Sequence, residues 1–67
     1  HTIYLEYYPE MNALNILFPE ELNFIVKVND KEVVVEYIDF DTQTNRYSYM
    51  VENIHENDQI TIYIKNN

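Results

Sequence analysis

The chain has no glycine and no cysteine, and only four of its 67 residues are lysine or arginine. Without cysteine, it cannot be a disulfide-stapled scaffold or hold a cysteine-ligated zinc ion. Without glycine, it has neither a Walker phosphate-binding loop nor a dinucleotide-binding fingerprint. No apolar run reaches the length of about 18 residues that a membrane-spanning helix needs, so we expect no contact with a membrane interior.

Acidic residues dominate what remains. Twelve aspartates and glutamates give a formal net charge of -8, and the pI is near 4.3. The apolar fraction of 46% is too high for a disordered acidic tail. The length fits one small domain, so residues 1–67 are predicted to form a single acidic domain. Direct nucleic-acid binding is not expected, because it needs a basic surface.

Lysine is scarcer than the rest of the composition explains. Nine asparagines, eight isoleucines and seven tyrosines, with a single alanine, are typical of an AT-rich genome. Such a genome also favours lysine, yet the chain has only Lys27, Lys31 and Lys65. Negative charge has therefore been favoured separately, either for solubility or for a partner that binds negative charge.

Apolar residues recur at every second position in four stretches. These stretches are 3–7, 22–28, 47–51 and 60–64. Side chains two apart on a strand share a face, so each stretch predicts a half-buried strand. A fifth run, 32–41, changes phase near Tyr37 and Ile38, which indicates either a β-bulge or a central strand buried on both faces.

Polar segments between these runs predict hairpin turns. Residues 29–32 form a tight turn signal, and residues 41–45 form a second loop. Because glycine is absent, positive-φ turn positions must be filled by asparagine or aspartate. Asn29, Asn45 and Asn57 are the predicted positions.

Residues 9–21 fit two interpretations. Met11, Leu14 and Phe18 fit a helical stripe, whereas apolar alternation over 12–18 fits a strand, which we prefer. The predicted fold is therefore all-β, a small antiparallel meander of five or six strands. It forms a barrel or a sandwich, with one short helix or helical turn within 9–21 as an option.

Residues with catalytic or metal-binding potential are few. His55 is the one interior histidine and falls in a turn, so a solvated loop residue is expected. Asp39, Asp41, Gln43 and Asn45 alternate oxygen ligands, but the glycine and the closing glutamate of a calcium loop are missing. We therefore predict a protein that is not an enzyme and has no cofactor and no metal.

Acidic side chains fall mostly on the phase opposite the apolar one, which places them on the outer side of the sheet. Alternate residues of a strand stand roughly 6.6 Å apart, commensurate with the ~3.4 Å advance per nucleotide of a phosphate backbone. A solvated face is the simpler interpretation, and a surface for a basic partner is the functional one. The predicted partner-binding residues are Glu32, Glu36, Asp39, Asp41, Glu52 and Glu56.

Outward tyrosines and a methionine provide a second candidate surface. Such side chains are common at interfaces, although cross-strand pairing explains them equally well. This aromatic interface, for a partner or for a second copy in a homodimer, comprises Tyr4, Tyr8, Met50 and Tyr63.

In size and charge alone, the chain resembles the small acidic inhibitors of bacteriophages and mobile elements, such as DNA-mimic, anti-restriction and anti-CRISPR proteins. The resemblance implies a non-enzymatic inhibitor, in the cytoplasm of an infected or host bacterium. It would occupy the basic nucleic-acid-binding site of a host protein by charge mimicry. The alternative is a small β binding or spacer module from a larger cell-surface protein.

Overall fold

A computed structural model describes residues 2–65, which form seven strands in two antiparallel sheets. The strands are β1 (Tyr4–Tyr8), β2 (Ala13–Phe18), β3 (Asn23–Val28), β4 (Lys31–Val33), β5 (Glu36–Asp41), β6 (Arg46–Glu52) and β7 (Ile60–Lys65). Sheet A has the order β1-β2-β6-β5, and sheet B has the order β4-β3-β7. The described part of the chain has no helix, and so none long or apolar enough to cross a membrane.

The all-β, antiparallel, sandwich-like architecture confirms the coarse prediction, but three details were wrong. Seven strands form rather than five or six, and the sheets do not close into a barrel. The simple meander is also incorrect, because β2 pairs with β6 and β3 pairs with β7. Only β1–β2, β3–β4 and β5–β6 are pairs of consecutive strands, so the chain crosses between the sheets after β2, β4 and β6.

The ambiguous segment 9–21 contains a turn and a strand. Residues 9–12 form the turn, and Ala13–Phe18 is a central strand of sheet A. The helical option was wrong for these residues, because both edges of β2 are hydrogen-bonded to neighbouring strands. Pairing on both edges leaves no backbone group free for a local helix.

Interleaved apolar side chains from the two sheets form the core. Ile16, Phe18 and Val51 of sheet A are fully buried against Val26 of sheet B. The ring centroids of Phe18 and Phe24 lie 4.7 Å apart in an edge-to-face arrangement, a geometry that aromatic pairs prefer. Aromatic packing therefore joins the sheets at the centre of the sandwich.

Asparagine and aspartate fill the tight turns, as the absence of glycine predicts. Asn29 and Asp30 have φ angles of 52° and 67°, the two positive values of a type I′ hairpin turn. Asn45 is also confirmed, with φ 56°. The prediction for Asn57 was wrong. In that loop the carboxylate of Asp58 instead accepts a hydrogen bond from the His55 backbone N–H at 2.8 Å.

Asn12 and Asn53 are two positive-φ positions that the sequence did not single out. They lie next to each other in space, because the carbonyl of Asn12 accepts a hydrogen bond from the Ile54 backbone N–H at 2.8 Å. The turn after β1 is therefore joined to the end of β6, and each asparagine supplies the left-handed conformation without glycine.

The two edge strands of sheet A, β1 and β5, are partly exposed. The predicted bulge is confirmed, since the register of β5 against β6 shifts between Tyr37 and Asp39. The alternative of a doubly buried strand was wrong, because β5 is an edge strand and mostly exposed. Sheet A has one strand more than sheet B, so its edges are incompletely covered, and Leu5 on β1 is 55% exposed.

Candidate protein-binding face

Strand register places carboxylates from three strands on one side of sheet A. Directly paired residues of an antiparallel sheet project to the same face. Glu36 is paired with Met50, and Asp41 is paired with Arg46. Met50 is in turn paired with Asn15, which links this face to Glu6 of β1. We call this surface the acidic face, and its carboxylates are Glu6, Glu36, Asp39, Asp41 and Glu52.

The acidic face includes Glu36, Asp39, Asp41 and Glu52, four of the six residues expected from the sequence to bind a partner. The other two lie elsewhere. Glu32 is on β4 of sheet B, opposite Lys27. Glu56 is exposed in the loop between β6 and β7. Glu6 lies on the same side as the four through its pairing with Asn15.

A cleft of about 510 Å³ brings Glu32 back toward the acidic face. It opens between the end of β4 and the start of β5, where the chain passes from sheet B to sheet A. Glu32, Glu36 and Glu52 line it together with Lys31 and Met50. The cleft therefore combines carboxylates from three strands with an apolar side chain, and it continues the acidic face toward sheet B.

A buried polar pair lies at the centre of the acidic face. Asn15 and Ser48 are 9% and 7% exposed. The Asn15 side-chain amide donates to Ser48 Oγ and to the Tyr49 carbonyl, both at 2.8 Å. These bonds connect β2 to β6 beyond the backbone ladder, and buried polar groups with partners favour one specific arrangement. The carboxylates therefore project from a fixed platform.

Arg46 is the cation that register places on this face. Its guanidinium carbon lies 3.6 Å from the ring centroid of Tyr4, an arrangement typical of a cation–π contact. One of its amino groups donates to the Thr44 carbonyl at 3.4 Å. On β1, the Tyr8 hydroxyl donates to the Glu6 carboxylate, which raises the pKa of the Tyr8 phenol.

The residues of the expected aromatic interface are divided between the two sheets. Tyr4, Tyr8 and Met50 lie on the acidic face. Tyr63 is on β7 of sheet B, opposite Ile25, and the ammonium of Lys27 lies 5.4 Å from its ring centroid. The four side chains therefore do not make one continuous patch.

The segment with alternating oxygen ligands is a hairpin connection. The Asp41 carboxylate accepts the backbone N–H of Gln43 at 2.9 Å, which closes a local turn. Across residues 2–65, no group of three or more histidine, aspartate or glutamate side chains is arranged to hold a metal ion. His55 is exposed in its loop.

A tyrosine pocket on the opposite side of β5 was not anticipated. Tyr37, Tyr47 and Tyr49 line a cavity of about 320 Å³ together with Glu21, which lies in the connection between β2 and β3. The alternation over 47–51 places Tyr47 and Tyr49 on the apolar side of their strand, whereas Tyr37 falls where the 32–41 run changes phase. The sequence does not show that these tyrosines remain partly exposed, because their exposure depends on which strands cover them in the fold.

We expect Glu21→Gln to lower the pKa of Tyr49. Burial raises this pKa above its ordinary value of 10.0, and the Glu21 carboxylate is the next largest cause. The neutral Tyr49 phenol stabilises the fold fully at pH values below its pKa in the unfolded state. This stabilisation is lost as pH rises through its higher pKa in the folded state. In Glu21→Gln, where the folded-state pKa of Tyr49 is lower, this loss of stability should therefore be complete at a lower pH.

Ring-carbon NMR titration of Tyr49 would measure the shift, with Glu10→Gln as the matched control in an exposed turn. Equal Tyr49 pKa values in both variants would mean that the Glu21 carboxylate exerts no field on the pocket.

Comparison with known proteins gave no match to a family model, to a curated protein or to a solved structure.

Proposed function

We propose that this protein is a non-enzymatic interaction protein whose acidic face occupies the basic nucleic-acid-binding site of a partner protein. The observation that carries the proposal is the strand register. It collects five carboxylates and one guanidinium on a single side of sheet A. A net negative field on a rigid surface attracts a basic cleft and accelerates encounter with it.

The spacing of the carboxylates supports mimicry of a phosphate backbone. Neighbouring strands are about 4.8 Å apart, and alternate residues along a strand are about 6.6 Å apart. Glu36, Asp39 and Asp41 follow β5, while Glu52 adds a charge from β6. Lysines and arginines that bind phosphates at similar intervals can therefore meet several of these carboxylates at once.

The cleft beside the acidic face adds an apolar contact. Met50 lies between Glu36 and Glu52, and Val34 at the cleft is 87% exposed. Protein interfaces combine an apolar centre with a polar rim, and methionine is enriched in them. A partner that inserts an apolar side chain here would gain an interaction that nucleic acid itself does not offer.

The scarcity of lysine supports the same function. Cations on the acidic face would offset its field, and the face carries one, Arg46, against five carboxylates, with Lys31 at the adjoining cleft. Together with the small size, this composition favours an inhibitor of the kind encoded by bacteriophages or mobile elements, acting in the bacterial cytoplasm.

Capture from a bacterial lysate tests the proposal. The tagged protein is expected to retain a nucleic-acid-binding protein at ~50 mM salt and to release it at ~500 mM, because phosphate-like contacts weaken steeply over this range. Added duplex DNA should release the same protein at the lower salt. Mass spectrometry identifies what is bound. If no nucleic-acid-binding protein is captured, or if its capture does not depend on salt, the proposal is wrong.

A further inference from the structure

The tyrosine pocket is lined by aromatic rings and a carboxylate, the side-chain types that bind a cation. Tyr37 and Tyr49 are cross-strand partners with ring centroids 5.3 Å apart and planes inclined by 60°. Tyr47 lies two residues from Tyr49 on the same face of β6, and its ring centroid lies 4.9 Å from that of Phe40. The three tyrosines thus line a cavity of about 320 Å³ together with Glu21.

The pocket lies at an edge of sheet A. β5 is the last strand of that sheet, and it is mostly exposed. Tyr37 is consequently 52% exposed although it lies on the core phase of its strand. At the inner end of the cluster, Tyr49 packs edge-to-face on Phe24 of sheet B, with ring centroids 4.8 Å apart, so the open end of the pocket is the one at Tyr37.

The chemistry of the lining selects a cation that carries N–H groups. The face of an aromatic ring is electronegative and attracts ammonium groups, most strongly when they are partly desolvated. The Glu21 carboxylate supplies a full negative charge and accepts hydrogen bonds, which a lysine ammonium donates. Glu21 lines the pocket with the three tyrosines, and its carboxylate is, after burial, the next largest cause of the raised pKa of Tyr49.

We propose that the tyrosine pocket receives a lysine side chain from an extended segment of the partner that lies along β5. The inference rests on the proposed function for the basic character of the partner. It concerns different residues, on the opposite side of β5 from the acidic face.

Backbone position and charge both favour this occupant. β5 is the last strand of sheet A, and an edge strand can pair with an added strand from another protein. Alternate side chains of an added strand project to opposite faces. On one face of the added strand, basic residues would contact Glu36 and Asp39. On its other face, a lysine would reach the tyrosine pocket. A second copy paired through β5 would place like charges together.

Ligand-observed and protein-observed NMR with the full chain tests the pocket directly. The probe is a short serine peptide with acetylated and amidated ends and one central lysine, and the comparison probe carries glutamine instead. The terminal methylene protons of the lysine should shift upfield in the ring currents, and ring signals of Tyr37 and Tyr49 should move. The glutamine peptide should produce neither effect.

Variants separate the ring and charge contributions. Tyr37→Leu and Glu21→Gln should each weaken binding of the lysine peptide by about fivefold to tenfold, because each removes a direct contact to the ammonium. Tyr37→Phe should retain binding, because it keeps the ring. Tyr63→Leu and Glu10→Gln are matched controls, exposed elsewhere on the surface, and should leave affinity unchanged.

Several outcomes would overturn the inference. Equal binding of the lysine and glutamine peptides would show that the pocket does not select a cation. Equal affinities of Tyr37→Leu and Tyr63→Leu would place the contact elsewhere. Because the probe carries one charge and the variants leave the acidic face intact, failure here is distinct from failure of the salt-dependent capture.

Discussion

Phe18→Ala is expected to leave the chain largely unfolded at 25 °C. Phe18 is fully buried and packs edge-to-face on Phe24 of sheet B and on Tyr49. The ring centroids of these two residues lie 4.7 Å and 6.1 Å from that of Phe18. Removing a buried aromatic ring costs about 3–5 kcal/mol. A domain of this size has a total stability of only ~0.05–0.15 kcal/mol per residue. The loss is therefore comparable to the entire free energy of unfolding.

Urea denaturation followed by circular dichroism would measure the effect of Phe18→Ala. The matched control is Phe40→Ala, which removes the same ring from the edge strand β5, where Phe40 is 39% exposed. The control should lose much less stability. Similar midpoints for the two variants would mean that the sheets are not held together by the aromatic core described for them.

Combined Glu36→Lys and Asp39→Lys substitutions are expected to abolish binding to a basic partner. Each reversal replaces an attraction with a like-charge contact, and such contacts cost several kcal/mol at an interface. Affinity should fall by about 100-fold or more at low salt, because each 1.4 kcal/mol is a factor of ten. Both side chains are exposed on an edge strand, so the fold should persist.

The control for this reversal carries Glu10→Lys and Glu56→Lys, which make the same change in net charge in exposed loops. It should bind nearly as well as the original chain, with only the loss that a lower overall charge causes. Equal loss in both variants would mean that net charge, and not the acidic face, determines binding. It would also return Glu56 to the set of binding residues.

Much of the local structure was predictable from the sequence because its causes are local. Alternation over 60–64 determines which side of β7 is apolar, and the phase change at Ile38 is itself the bulge. The requirement for asparagine at Asn29 and Asn45 follows from the missing glycines. None of these features depends on which strand lies next to which.

The topology and the tyrosine pocket could not be predicted in the same way. The alternation of apolar residues shows that β2 has two different faces, but it does not show that β6 is the partner of β2. The burial of Asn15 beside Ser48 depends on that pairing and therefore has no signal in the sequence. Likewise, Tyr37 has a core-phase position, yet it is 52% exposed because β5 lies at the edge of its sheet. Non-local pairing decides both.

Competition between this protein and DNA for the purified captured partner tests whether the acidic face occupies the nucleic-acid-binding site. Fluorescence anisotropy of labelled duplex DNA bound to that partner would be followed as this protein is added. We expect complete displacement of the DNA by the original chain and by the Glu10→Lys, Glu56→Lys control, and none by the Glu36→Lys, Asp39→Lys variant. If the protein binds the partner while the DNA stays bound, the acidic face does not occupy the nucleic-acid-binding site.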